Sequence, residues 1–165
     1  MKKRFFNLIV TSMAVVTLIF AGFFRPFPAR ADGAVQISGI GRYAVDGECT
    51  DPVGNGDSYT VVVEGDLEGC AYTFVAGSVS NPSGTYREWG TEIYIVSHNG
   101  KIGSFGATYQ FEAKYDGSIE IFGRCEHPIV AGSGTGDFEG ITGRLDYKDN
   151  VEIGNFPYRG HLSYP

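Results

Sequence analysis

The sequence predicts an all-β chain folded as a closed eight-stranded antiparallel β-barrel. Three observations carry that expectation. After residue 32, apolar side chains recur with period two, and no stretch of useful length has helical spacing. Glycine, proline and asparagine clusters divide the alternation into eight runs. Between the sixth and seventh runs lies Gly132–Gly143, reading GSGTGDFEGITG, in which five of twelve residues are glycine. Glycine at that density marks backbone with positive φ or close chain approach. Closure into a tube is expected because short connections and one wet face would otherwise leave exposed strand edges.

The elements follow in order. Val35, Ile37, Gly39, Gly41, Tyr43 and Val45 form one face of a first strand, and Asp46–Ser58 is a polar loop. Tyr59, Val61, Val63, Gly65 and Leu67 alternate with Thr60, Val62, Glu64 and Asp66 in the second. The third carries Cys70, Tyr72 and Phe74 on one side. A turn at Asn81–Gly84 leads to a fourth strand, about Tyr86 to Val96, whose apolar face is read as Trp89, Thr91, Ile93 and Ile95. His98-Asn99-Gly100 is a hairpin turn, since asparagine and glycine tolerate positive φ.

The fifth strand has the clearest alternation. Phe105, Ala107, Tyr109, Phe111, Ala113 and Tyr115 occupy one face. The sixth, Ser118 to about Val130, is read with Ile119, Ile121 and Cys125 inward. The seventh and eighth, Arg144–Glu152 and Phe156–Tyr164, are set in register with Tyr147 opposite Leu162 and Val151 opposite Tyr158. The glycine stretch between the sixth and seventh strands is read as a tight crossover with Phe138 turned inward as a plug.

Within that stretch, Gly134-Thr135-Gly136-Asp137-Phe138-Glu139-Gly140-Ile141-Thr142-Gly143 resembles the GTGxFxGxxG signature of the allene oxide cyclase and dirigent superfamily. The resemblance implies an eight-stranded antiparallel barrel that shapes an apolar substrate without a cofactor, and an assembly that is a homotrimer in the plant families. It carries over no catalytic residue, because the acidic and tyrosine motifs of those families have no match here. A phosphate-binding reading of the same glycines fails. Counting from Gly132 or Gly134, the third glycine of G-x-G-x-x-G falls on Asp137 or Glu139, and no lysine is present for a P-loop.

The chain is expected to comprise a signal peptide, residues 1–31, and a single barrel domain, residues 32–165. Lys2, Lys3 and Arg4 precede an apolar run from Leu8 to Phe24, and Ala29-Arg30-Ala31 forms an A-x-A cleavage site. The product would be secreted or periplasmic. An uncleaved anchor is the alternative, because seventeen apolar residues approach a membrane span. After cleavage, eight basic residues face nineteen acidic ones, a net charge of −11 with neutral histidines. That charge argues against nucleic acid and against anionic membrane surfaces as partners. Three cysteines, Cys49, Cys70 and Cys125, allow one disulfide and one thiol. A simple meander would place Cys49 and Cys70 at opposite ends of strand two, which weighs against that pair.

No catalytic signature emerges. The sequence has no HExxH, no G-x-S-x-G and no calcium-loop pattern, so neither a metal nor a cofactor is expected. His98 and His161 read as surface or hydrogen-bonding residues; His127, sharing the inward parity of Cys125, is the one candidate for a perturbed base. Glu88 and Glu92, four apart on one strand, read as an exposed acidic face. Asp146, Asp149, Asn150 and Glu152 read as solvated.

Inward-parity aromatics set among glycines and alanines fit either cavity walls or tight interdigitation. The leading expectation is a lumen for a small apolar or aromatic molecule, lined by Trp89, Tyr109, Phe111, Tyr147 and Tyr158. A cofactor-free cyclase or isomerase and a structural module with a filled barrel are the alternatives.

Overall fold

The computed structural model describes residues 33–165. The expected signal peptide, residues 1–31, lies outside the described residues. The strands are β1 Val35–Tyr43, β2 Tyr59–Gly65, β3 Glu68–Ser80, β4 Thr85–His98, β5 Lys101–Asp116 and β6 Ile119–Pro128. They continue with β7 Thr135–Gly136, β8 Thr142–Lys148 and β9 Phe156–Ser163. Every pairing is antiparallel. Neighbours run β1-β2-β3-β4-β5-β6-β8-β9, and β9 returns to β1, so eight strands close the predicted barrel. The ninth, β7, is two residues of the glycine stretch laid beside Gly103 and Ser104 of β5.

The two ends of the tube differ. One end is filled by Val63, Leu67, Phe105, Phe138, Ile141, Leu145 and Leu162, all essentially inaccessible to water. Phe138 is the plug expected from the sequence. Its ring meets Phe105 edge-on at 5.6 Å and lies against Tyr164 at 6.0 Å. The glycines around it are there for space. A Cβ on Gly134 would collide with the Phe138 carbonyl, and Gly136 sits at φ 61° where the crossover turns. At this end Asn99 and Gly100, both at positive φ, make the β4–β5 hairpin turn.

Several strand assignments need correcting. On β4 the inward face is Tyr86, Glu88, Glu92, Tyr94 and Val96, with Glu92 and Tyr94 buried, whereas Trp89 is 45% exposed on the outside. On β6 an extra residue interrupts the pairing: Lys114 faces Phe122 but Tyr115 faces Glu120. That bulge at Ile121 reverses the parity, so Glu120 turns inward and Ile121 is exposed, while Ile119 borders the cavity but is itself largely exposed. On the last hairpin Tyr147 faces Tyr158 and Gly143 faces Leu162. The slip of four residues preserves parity, so the inward set survives, but it lengthens the connection to residues 149–155.

The expectation against a Cys49–Cys70 bond is also overturned: those two residues form the disulfide. The loop after β1 does not extend away from the barrel. It folds back over the outer face of β2 and β3, where Arg42 grips Glu48 through two 2.8 Å bonds and the Tyr72 hydroxyl accepts from the Asp51 amide at 3.0 Å. Cys49, at φ 52°, turns the chain so that its sulfur reaches the outward-facing Cys70. Cys125 is the buried free thiol.

Candidate functional site

The end opposite the Phe138 plug is hollow. It holds a cavity of about 660 Å³, opening between the β1–β2, β5–β6 and β8–β9 connections. That volume lies within the range of about 300–1,000 Å³ common to small-molecule sites. The geometry follows from strand parity. Residues at the C-terminal ends of β1, β5 and β8, and at the N-terminal starts of β2, β4, β6 and β9, alternate inward and ring the mouth. Tyr43, Tyr59, Tyr86, Phe111, Tyr115 and Phe156 supply the aromatic wall.

Deeper in, a buried polar network crosses three strands. Glu92 of β4 is 4% exposed and His127 of β6 is 5% exposed. His127 Nδ1 lies 2.6 Å from one Glu92 oxygen, which also accepts from the Tyr94 hydroxyl at 2.7 Å. The other oxygen accepts from the Thr73 hydroxyl of β3 at 2.9 Å. Burial works to raise the Glu92 pKa, but His127, Tyr94 and Thr73 outweigh it and hold the carboxyl below its usual range. Tyr109 stacks near the imidazole at 6.0 Å and Tyr147 tilts against it at 4.7 Å.

Glu88, one turn of the pleat nearer the mouth, is held by three tyrosines. It accepts from Tyr59 at 3.1 Å, Tyr109 at 2.9 Å and Tyr86 at 2.5 Å. At the mouth itself, Asp149 and Glu120 both reach over Gly123, where any Cβ would collide with their carboxyls. Burial, with the adjacent Glu120 carboxyl, raises Asp149 to about 7. In acidic solution the Glu120–Asp149 pair therefore holds a proton between its two carboxyls.

The unpaired atoms are concentrated here. Glu120 Oε1, His127 Nε2, the Tyr147 hydroxyl and Asn155 Oδ1 are buried without a hydrogen-bond partner, and all four residues line this one cavity. Buried polar atoms are nearly always satisfied, and these four border a space open to solvent, where water or a bound molecule can reach them.

The five residues expected to line a lumen divide as follows. Phe111 and Tyr147 line the cavity. Tyr109 lies behind it and reaches the site through its bond to Glu88. Tyr158 is 1% exposed and fills the middle of the barrel, its hydroxyl accepting from the Leu67 amide at 2.9 Å. Trp89 is outside. His127 lies where its parity placed it. The reading of Glu88 and Glu92 as an exposed acidic face is overturned, as is the reading of Asp149 and Asn150 as solvated, because all four line the cavity. A usable signal was present: Tyr86 and Tyr94 stand two residues from the glutamates on the same strand face, so that face carries its own donors. Among the described residues, no group of three or more histidine, cysteine or acidic side chains is arranged to hold a metal ion.

Residues 53–157, more than half of the chain, match the family described as "Protein of unknown function (DUF3224)". No curated protein matches the chain.

Proposed function

Because the chain belongs to the DUF3224 family, whose description assigns no activity, we propose its function from the cavity: the barrel binds a small apolar or aromatic molecule carrying hydrogen-bonding groups. The observation that supports this most is the coincidence of an aromatic-walled space of about 660 Å³ with four unpaired polar atoms. A filled structural barrel would leave neither. The Cys49–Cys70 disulfide and the positively charged, apolar N-terminal run support export as the setting.

The neutral probe prodan, whose emission shifts to the blue in apolar surroundings, tests the reading. Prodan should bind with a dissociation constant in the micromolar range. Ala71→Phe, which fills space from the cavity wall, should weaken it at least tenfold. An unshifted emission spectrum at saturating protein would end the proposal.

A second reading, proton-transfer catalysis of the cyclase or isomerase kind, is favoured by the Glu92–His127 pair. With Nδ1 held by Glu92, the unpartnered Nε2 is the atom available to take a proton from a bound molecule. Burial holds the Tyr147 phenol well above its usual range, so it stays a hydrogen-bond donor beside that position. The resemblance of Gly134–Gly143 to the allene oxide cyclase and dirigent signature supports the same reading. Its test is deuterium exchange next to the carbonyl of 4-phenyl-2-butanone, followed by NMR. Exchange should be accelerated by the protein and lost in His127→Gln; exchange that persists in the variant would remove His127 from the role.

A further inference from the structure

The cavity's charged lining has one sign. Glu88, Glu92, Glu120 and Asp149 bring four carboxyls to it, and among the described residues no lysine or arginine lines it. These carboxyls are not equivalent. Glu92 is committed to His127, Tyr94 and Thr73, and Glu88 to three tyrosines. Glu120 accepts a 3.3 Å bond from Tyr115 on Oε2, and its Oε1 is met by no group other than the neighbouring Asp149 carboxyl. Beside it on the wall, Asn155 Oδ1 is a second buried acceptor without a donor.

Two further unpartnered groups, His127 Nε2 and the Tyr147 hydroxyl, belong to side chains more than nine-tenths buried, and both line the space below. The unpaired atoms at the mouth are acceptors, which take hydrogen-bond donors, and the walls are ring faces. Ring faces and carboxylates both attract a cation. An anion entering the same space would meet four carboxyls, and the basic side chain among the described lining residues, His127, is already bonded to Glu92.

We propose that the ligand is an organic cation, an amine with an aromatic or apolar body. Its ammonium group donates to Glu120, Asp149 and Asn155 at the mouth, and its body extends inward between Phe111 and Tyr147. This rests on the cavity being a ligand site. The three N–H donors of a primary ammonium answer the unpaired acceptors there. Seating it requires the Glu120–Asp149 pair to ionise fully, so binding expels the proton that the pair shares in acidic solution. Affinity should then rise with pH toward neutrality and level off above it. The other titratable groups lining the cavity with this pair are Tyr43 of β1, Tyr59 of β2, Tyr86, Glu88, Glu92 and Tyr94 of β4, Tyr115 of β5, Cys125 and His127 of β6 and Tyr147 of β8.

The experiment compares three probes of one shape by isothermal titration calorimetry: 3-phenylpropylamine, 3-phenylpropanol and 3-phenylpropanoate. The amine is expected to bind at least tenfold more tightly than the alcohol, with the acid weaker still. Its affinity should increase about tenfold between pH 5.5 and 7.5. Asp149→Asn should flatten that rise, and Glu120→Gln should reduce the preference for amine over alcohol; both exchanges preserve shape. Equal or tighter binding of the alcohol or the acid would overturn the cation and leave the cavity reading standing. Failure of all three, with prodan also unbound, would overturn both.

Discussion

Phe138→Ala should destabilise the barrel by about 3–5 kcal/mol, the range for removing a fully buried aromatic side chain. The ring is inaccessible to water and sits where the crossover from β6 to β8 closes the tube. Its loss would strip contacts from Phe105 on one side and Tyr164 on the other. The surrounding backbone has little freedom to collapse into the hole. Residue 138 is held by hydrogen bonds from its own amide to Thr135 and from the Ile141 amide to its carbonyl, and Asp137 is tied to Ile102. Urea unfolding should therefore show a lower midpoint at unchanged slope. Because the plug and the cavity lie at opposite ends, prodan affinity of the folded variant should change little. A loss below about 1 kcal/mol would mean that the glycine stretch holds its shape without the ring.

The glycine stretch was legible because it states its geometry locally: a dense run of small residues around one aromatic leaves few alternatives. β5 was legible for a similar reason, since one of its faces carries only aromatics and alanines. β4 defeated the same rule. Both of its faces carry apolar side chains, and the face with two glutamates looks like the outside. It is the inside because most of the donors that satisfy those glutamates come from β2, β3, β5 and β6, and within β4 only Tyr86 and Tyr94 hint at them.

The bulge at Ile121 and the strap carrying Cys49 share that character. Each depends on what a segment meets across the sheet, through Glu120 over Gly123 in one case and Tyr72 under the loop in the other. The cavity itself follows from these long-range placements. Trp89, one of the five residues expected to line the lumen, faces solvent because β4 turns its acidic face inward.

That inward acidic face makes Glu92 the position of the second large effect. Glu92→Ala should cost about 3–5 kcal/mol, because breaking a buried, hydrogen-bonded pair leaves its partners in a dry interior with nothing to bond. Here the abandoned groups are His127 Nδ1 and the Tyr94 and Thr73 hydroxyls. Glu92→Gln keeps an oxygen for one or two of them and should cost less, about 1–2 kcal/mol.

The pair also sets a pH dependence whose sign is fixed. The folded-state pKa of Glu92 is depressed below the ordinary 4.5. Its stabilisation is therefore complete above that ordinary value and is lost as pH falls through the folded one. Wild-type protein should lose stability on acidification below about pH 4.5, and Glu92→Gln should show a shallower loss over the same interval. Thermal unfolding of the two proteins between pH 3 and pH 6 measures the difference. Parallel curves would mean that the carboxylate is not held in its charged form by His127, Tyr94 and Thr73, and the proton-transfer reading of His127 would lose its anchor with it.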